Sequence, residues 1–278
     1  MFHTIVSRSN TMSLDEVIER LSRQDVVSGV VVTGSGGAEE IVRGSDYDLV
    51  VFRTDLDTEG HVGLTYIDGR VTDVIFVNAD ETRRILALKE PLSVESWTGH
   101  VVHWLVLGRV AYDRTGEITR AFEYVHRGHW LRPMDDAEIY QIWFSINFNV
   151  RHNHRILNSD DPLYMMALDV RMLYGATDIF RGYFHCRRML WEGEKAALRY
   201  LQEHDPGFIA LFQRFVHTDD REQKMIMYEQ LADWATAPVG GVWDPQGTSM
   251  QLIEPQEKVT PDMIDRALRF WEDLLGDE

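Results

Sequence analysis

The chain has 278 residues, 44% of them hydrophobic and 11% aromatic, which suits two domains with sizeable buried cores. Its 28 Lys and Arg face 45 Asp and Glu, a formal net charge of −17, the opposite of a nucleic-acid binder's electrostatic footprint. Charges break every apolar run well short of the ~20 residues of a membrane helix, residues 1–12 lack a signal-peptide core, and the single cysteine, Cys186, excludes intrachain disulfides and Cys-based metal sites. The expectation is a cytoplasmic protein with neither nucleic acid nor membrane as partner.

In chain order, Ser13-Leu14-Asp15-Glu16 has the form of a capping box. Val17, Ile18 and Leu21 continue it at helical spacing, to an end near Asp25. An apolar strand follows over 28–33, then the turn Gly34-Ser35 and an insert carrying Arg43. A second strand opens on Asp46 and Asp48. Alternate strand residues share a face, so both carboxylates stand with Val50 and Phe52 while Tyr47 points away. Two like charges beside a core face are costly unless a cation lies between them, and hard carboxylate oxygens suit magnesium. Gly34 allows close backbone approach to a ligand, and the Ser35 hydroxyl and N–H suit a phosphate.

Ile67-Asp68-Gly69-Arg70 carries the signal of a type I′ hairpin. It joins strand 62–67 to the β-branched strand 70–77. Asp73 lies in the latter, on a face with Val71, Ile75 and Val77. An aspartate among apolar strand residues is paired, neutralised or a ligand, and this hairpin can lie beside the strand of Asp46 and Asp48.

Gly34-Ser35, then Asp46-Tyr47-Asp48-Leu49, then the lone strand aspartate Asp73 together resemble the nucleotidyltransferase superfamily typified by DNA polymerase β. Within it the chain resembles the kanamycin and lincosamide antibiotic enzymes more than the polymerases. Thr33 departs mildly from the apolar residue usual before the glycine. The motif covers about residues 28–78. The resemblance implies an α/β (α+β) catalytic domain with a mixed sheet, Mg2+, and a nucleoside triphosphate such as ATP as donor. It implies Asp46, Asp48 and Asp73 as catalytic metal ligands, with Gly34 and Ser35 on the β,γ-phosphates. Arg43 and Lys195 are further phosphate candidates.

Beyond residue 77, Asp80 is a candidate cap for a helix to about Lys89. Val94–Leu107 reads as a buried helix and 110–113 as a further strand. Glu95 and Glu123 are weighed as general bases, with surface roles preferred. His100 and His103 lack a third metal partner. Residues 115–135 hold a domain boundary, placed at 132/133. An all-helical C-terminal domain follows, with helices over 136–157, 162–190, 193–204, 206–216 and 219–236, a loop over 237–256, and a last helix from Thr260. Arg151-His152-Asn153-His154 sits in a helical pattern unlike a nuclease hairpin. Arg120 and His126 only loosely echo an RNase spacing. Cys186 reads as an ordinary buried thiol.

These readings give a catalytic domain over 1–132 and a helical domain over 133–278, with the active site in the cleft between them. Residues 1–132 hold 14 basic and 20 acidic residues, net −6, and residues 133–278 hold 14 and 25, net −11. The larger acidic excess favours a small cationic acceptor, aminoglycoside-like, at the helical half. The alternatives are an adenylyltransferase acting on a protein or RNA, as in toxin–antitoxin pairs, and a non-catalytic nucleotide-binding module.

Overall fold

The computed structural model describes residues 12–34, 46–56, 60–244 and 246–250. Ser35, Arg43 and the helix expected from Thr260 lie outside them. The chain divides into two compact units, Met1–Arg132 and Pro133–Glu278.

The first unit is a mixed sheet clothed by helices. Helix α1 (Leu14–Ser22) starts on the Ser13–Glu16 capping box, which satisfies two of the donors a helix start leaves unpaired. Strands β1 (Val27–Thr33), β2 (Tyr47–Arg53), β3 (Gly60–Ile67) and β4 (Arg70–Asn78) follow. Helix α2 is Glu81–Leu86, β5 Leu92–Ser93, α3 Trp97–Leu107, β6 Arg109–Asp113, α4 Glu117–His126 and β7 Leu131–Arg132. The main sheet runs β3-β4-β2-β1-β6. Within this sheet β2 and β4 pair in parallel, and the β1–β2, β1–β6 and β3–β4 pairs are antiparallel.

Period-2 alternation divides the sheet's side chains between two cores. Val31, Val50, Phe52, Ile75 and Val77 pack with Ile85, Val101, Leu105, Ile118 and Val125 of α2, α3 and α4. On the other face, Val30, Val32, Tyr47, Leu49, Val51 and Ile67 pack with Leu14 of α1. Strand β1 is therefore buried along its whole length. The β3–β4 turn has positive φ at both central residues, 52° at Asp68 and 69° at Gly69, as a type I′ turn requires. The carboxylate of Asp68 also accepts from the Leu14 N–H at 3.1 Å, tying the hairpin tip to the start of α1.

Several expectations need correction. Asp80 stands at the start of α2 in helical conformation and makes no side-chain cap bond; its carboxylate pairs with Arg83 instead. Strand β2 begins at Tyr47, one residue after Asp46. Helix α4 fills part of the stretch read as a boundary. Asp113 holds its start, accepting from the N–H groups of Gly116 at 2.9 Å and Thr119 at 2.8 Å.

The second unit holds no strand among its described residues; its helices are α5 (Asp136–Leu157), α6 (Pro162–His185), α7 (Glu194–His204), α8 (Pro206–His217) and α9 (Arg221–Thr236), then a short 3-10 turn over Ala237–Val239. A capping box of Asp135 and Glu138 starts α5, and Pro at the first positions of α6 and α8 fits the helix N-terminus. The five helices share one core that includes Ile146, Leu168, Phe180, Leu201, Phe208, Phe215 and Tyr228.

Candidate functional site

The carboxylates singled out from the sequence lie at one end of the main sheet, and the strand register decides their neighbours. Asp48 of β2 stands directly opposite Asp73 of β4 in the parallel pair. Residues in register on adjacent strands project to the same face, with strands about 4.8 Å apart. Asp48 and Asp73 are therefore side by side on the face that carries Val50, Phe52, Ile75 and Val77, one step beyond where α2–α4 cover it. Both are half-buried.

The row continues in both directions. Thr33, the last residue of β1, is opposite Asp48 and buried; Leu64 of β3 is opposite Asp73. Next comes Gly34, in the left-handed region at φ 73°. A Cβ there would lie 2.4 Å from Asp48 Oδ2, so the carboxylate occupies space that only glycine leaves open. Asp46 immediately precedes β2 and is exposed.

Two adjacent carboxylates, and a third two residues from one of them, are hard oxygen donors of the kind that bind magnesium. Among the described residues, however, no group of three or more His, Cys, Asp or Glu side chains is placed to hold a metal ion. The Asp48–Asp73 pair would offer a divalent cation two carboxylates; Asp46, exposed just before β2, is not placed with them as a third ligand.

The remaining candidates stand on other elements. Lys195 is exposed in the first turn of α7, in the second unit. Glu123 on α4 is exposed and bonded to Arg127 at 2.8 Å, an ordinary i,i+4 surface pair. Glu95 is exposed in the turn between β5 and α3. His100 stacks on Trp104. In the Arg151–His154 stretch, His152 packs on Phe148 and His154 reaches Glu229 at 3.1 Å, so these residues serve the helical unit's own packing. Cys186 is buried, and burial pushes its thiol up to about 11, which makes it a poor nucleophile.

Two features escaped the sequence reading. Terminal strand β3 exposes Val62, Leu64 and Tyr66, and β4 exposes Val71. By the register Val62–Ile75, Leu64–Asp73 and Tyr66–Val71, this apolar stripe shares the face of Asp73 and flanks it. In the second unit, a cavity of about 260 Å³ is lined by Gln141, Ser145, Asp178, Arg181 and His185, with Met134 and Ile142. Burial raises the Asp178 carboxyl above its ordinary range, against the opposing pull of Arg181. The spacing of Asp178, Arg181 and His185 on one side of α6 was legible, but nothing local marked that side as hollow.

No family model matches the chain, nor does any curated protein. Among solved structures, it is similar to a nucleotidyltransferase-like protein from Exiguobacterium sibiricum 255-15, with a TM-score of 0.40. The two share 12% identity, over 80% of this chain and 75% of that one. So distant a likeness fixes neither the activity nor the site. Among the described residues, no helix is long and apolar enough to cross a membrane.

Proposed function

We propose that the protein is a magnesium-dependent nucleotidyltransferase that moves a nucleotidyl group, AMP from ATP, to the hydroxyl of a small cationic acceptor. The observation that carries this reading is the Asp48–Asp73 pair in register on one sheet face, with Asp48 lying against a left-handed Gly34. A core-forming sequence has no use for two like charges set side by side at the rim of an apolar face; a cation-dependent site does.

In this reading Asp46, Asp48 and Asp73 hold magnesium, and the turn that begins at Gly34 receives the β,γ-phosphates. When bound, the ion neutralises triphosphate charge and lowers the pKa of the acceptor hydroxyl. The hydroxyl oxygen, its proton passing to solvent, would attack the α-phosphorus, forming the new O–P bond as the bond to the leaving pyrophosphate breaks. Support for a cationic acceptor comes from the net charge of −11 over residues 133–278 and from Asp178. Burial disfavours the ionised form of that carboxylate, and an ammonium group beside it would restore the charged form.

A second reading, adenylyl transfer to a protein, draws on β3. A terminal strand with uncharged, exposed side chains next to Asp73 is a surface on which an extended segment can pair.

The test is a screen of α-labelled triphosphates with magnesium against aminoglycoside-like amines, purified proteins and RNA. Label should pass to a small amine, with an acceptor KM that rises with ionic strength as the attraction is screened. Asp178→Asn should raise that KM several-fold with little change in kcat. Label confined to protein would select the second reading, and no transfer to any acceptor would count against both.

A further inference from the structure

Helix α6 has two apolar sides, and its own unit uses one. Leu168, Met172, Ala176 and Ile179 point into the helical core. On the outer side, Leu163, Met166, Val170 and Leu173 are 69, 64, 60 and 63% exposed, flanked by Tyr174 at 44%. Scattered exposed leucines need no explanation, but a contiguous patch beyond about 300–600 Å² marks an interaction surface. The four stripe residues and Tyr174 expose on the order of 600 Å² per chain, so two copies would bury at most about 1,200 Å², the low end of the range of stable interfaces.

The pattern indicates what covers it. The four central residues follow one another at steps of 3, 4 and 3, the a/d spacing of a helix that packs along a seam against another helix. That series reads the same in both directions. An antiparallel pair of α6 helices, related by a twofold axis near Leu168, sets Leu163 against the partner's Leu173 and Met166 against the partner's Val170. Isologous contacts require this kind of self-complementarity.

Charge does not oppose the pairing, although the chain as a whole is strongly acidic. Asp169, beside the seam, is held by Arg221 in a two-pronged pair at 2.9 and 2.7 Å, which keeps its carboxyl below the usual range. Arg171 is turned toward α5, donating to Asn153 and Asn149. The seam itself carries no charged residue.

We propose that the outer face of α6 is the interface of a homodimer, in which two α6 helices pack antiparallel about a twofold axis. Sedimentation equilibrium of the full chain at micromolar concentration should give twice the 32.3 kDa of one chain. Val170→Glu and Leu173→Glu should each raise the dissociation constant at least about a hundredfold, with helix content unchanged by circular dichroism because both residues are exposed in the single chain.

Orientation is read by cross-linking. Chains carrying Leu163→Cys and Leu173→Cys, differently tagged and mixed, should be joined by a short bis-maleimide. Either chain alone should not, because ten residues of helix separate identical positions by about 15 Å in the antiparallel pair. A monomer at every concentration tested would overturn the proposal, and so would a dimer indifferent to both glutamates. Efficient self-linking of the Leu163→Cys chain would overturn the antiparallel arrangement. A monomer in which Leu173→Cys resists a thiol reagent would show that another part of the same chain covers the stripe, which also overturns it.

Discussion

Asp48→Asn should lose on the order of 10³-fold or more in kcat/KM while the protein stays folded. The magnitude follows from the several kcal/mol that metal-borne charge stabilisation supplies in such reactions, at about 1.4 kcal/mol per tenfold. Folding should survive because the substitution is nearly isosteric and Asp48 sits at the rim of its core, half-buried. In the absence of metal the melting temperature should hold or rise, since Asp73 directly opposite loses a like-charged neighbour. Asp73→Asn should behave alike. Transfer kinetics beside a thermal melt separate the outcomes. An inactive, unfolded variant would make Asp48 a structural partner, and a folded, fully active one would remove it from the chemistry.

The second large effect is expected at Gly34, where two penalties coincide. Alanine at φ 73° costs about 1–2 kcal/mol in the left-handed region. Its Cβ would also stand 2.4 Å from Asp48 Oδ2, so the carboxylate must swing away from its place beside Asp73. Gly34→Ala should therefore lower the melting temperature by a few degrees and also abolish stabilisation by magnesium with ATP. A residue that matters only to the backbone would show the first effect without the second. Melting curves with and without the ligand pair distinguish the two cases.

Much of this site was readable in the sequence because the rules that place it are local. Strand alternation put Asp48 with Val50 and Phe52, and Asp73 with Ile75 and Val77. Asp68-Gly69 announced the hairpin because few other residues accept two consecutive positive φ values. What local rules could not supply was register. That Asp48 stands opposite Asp73 depends on the parallel pairing of β2 with β4, strands separated by the whole of β3. Asp46, assigned to the strand by alternation, lies just outside it.

Misses elsewhere also have physical causes. Helix α4 carries Ile118, Ala121, Phe122 and Val125 at helical spacing, but the turn at Arg114–Gly116 reads as a domain end. The β5–β7 pair has two residues per strand, too few to show a period. Along α6 nearly every turn holds apolar residues on both sides, so the side that meets the core is decided by α5 and α9, not by the helix itself. Asp178 resembles a surface carboxylate until Gln141 and Ser145 are found across the cavity. Ser35 and Arg43 remain proposals resting on the motif.

The proposed function predicts cooperative binding of magnesium and a nucleoside triphosphate at Asp48, Asp73 and Gly34. Such binding is measured by melting the protein with each ligand alone and with both. A ligand at a hundred times its dissociation constant stabilises the folded state by about 2.7 kcal/mol. The pair together should therefore raise the melting temperature by several degrees, each alone by much less, and the gain should vanish in Asp48→Asn. If no triphosphate with magnesium or manganese shifts the melt, or if Asp48→Asn gains as much as the natural sequence, these carboxylates do not form a nucleotide site.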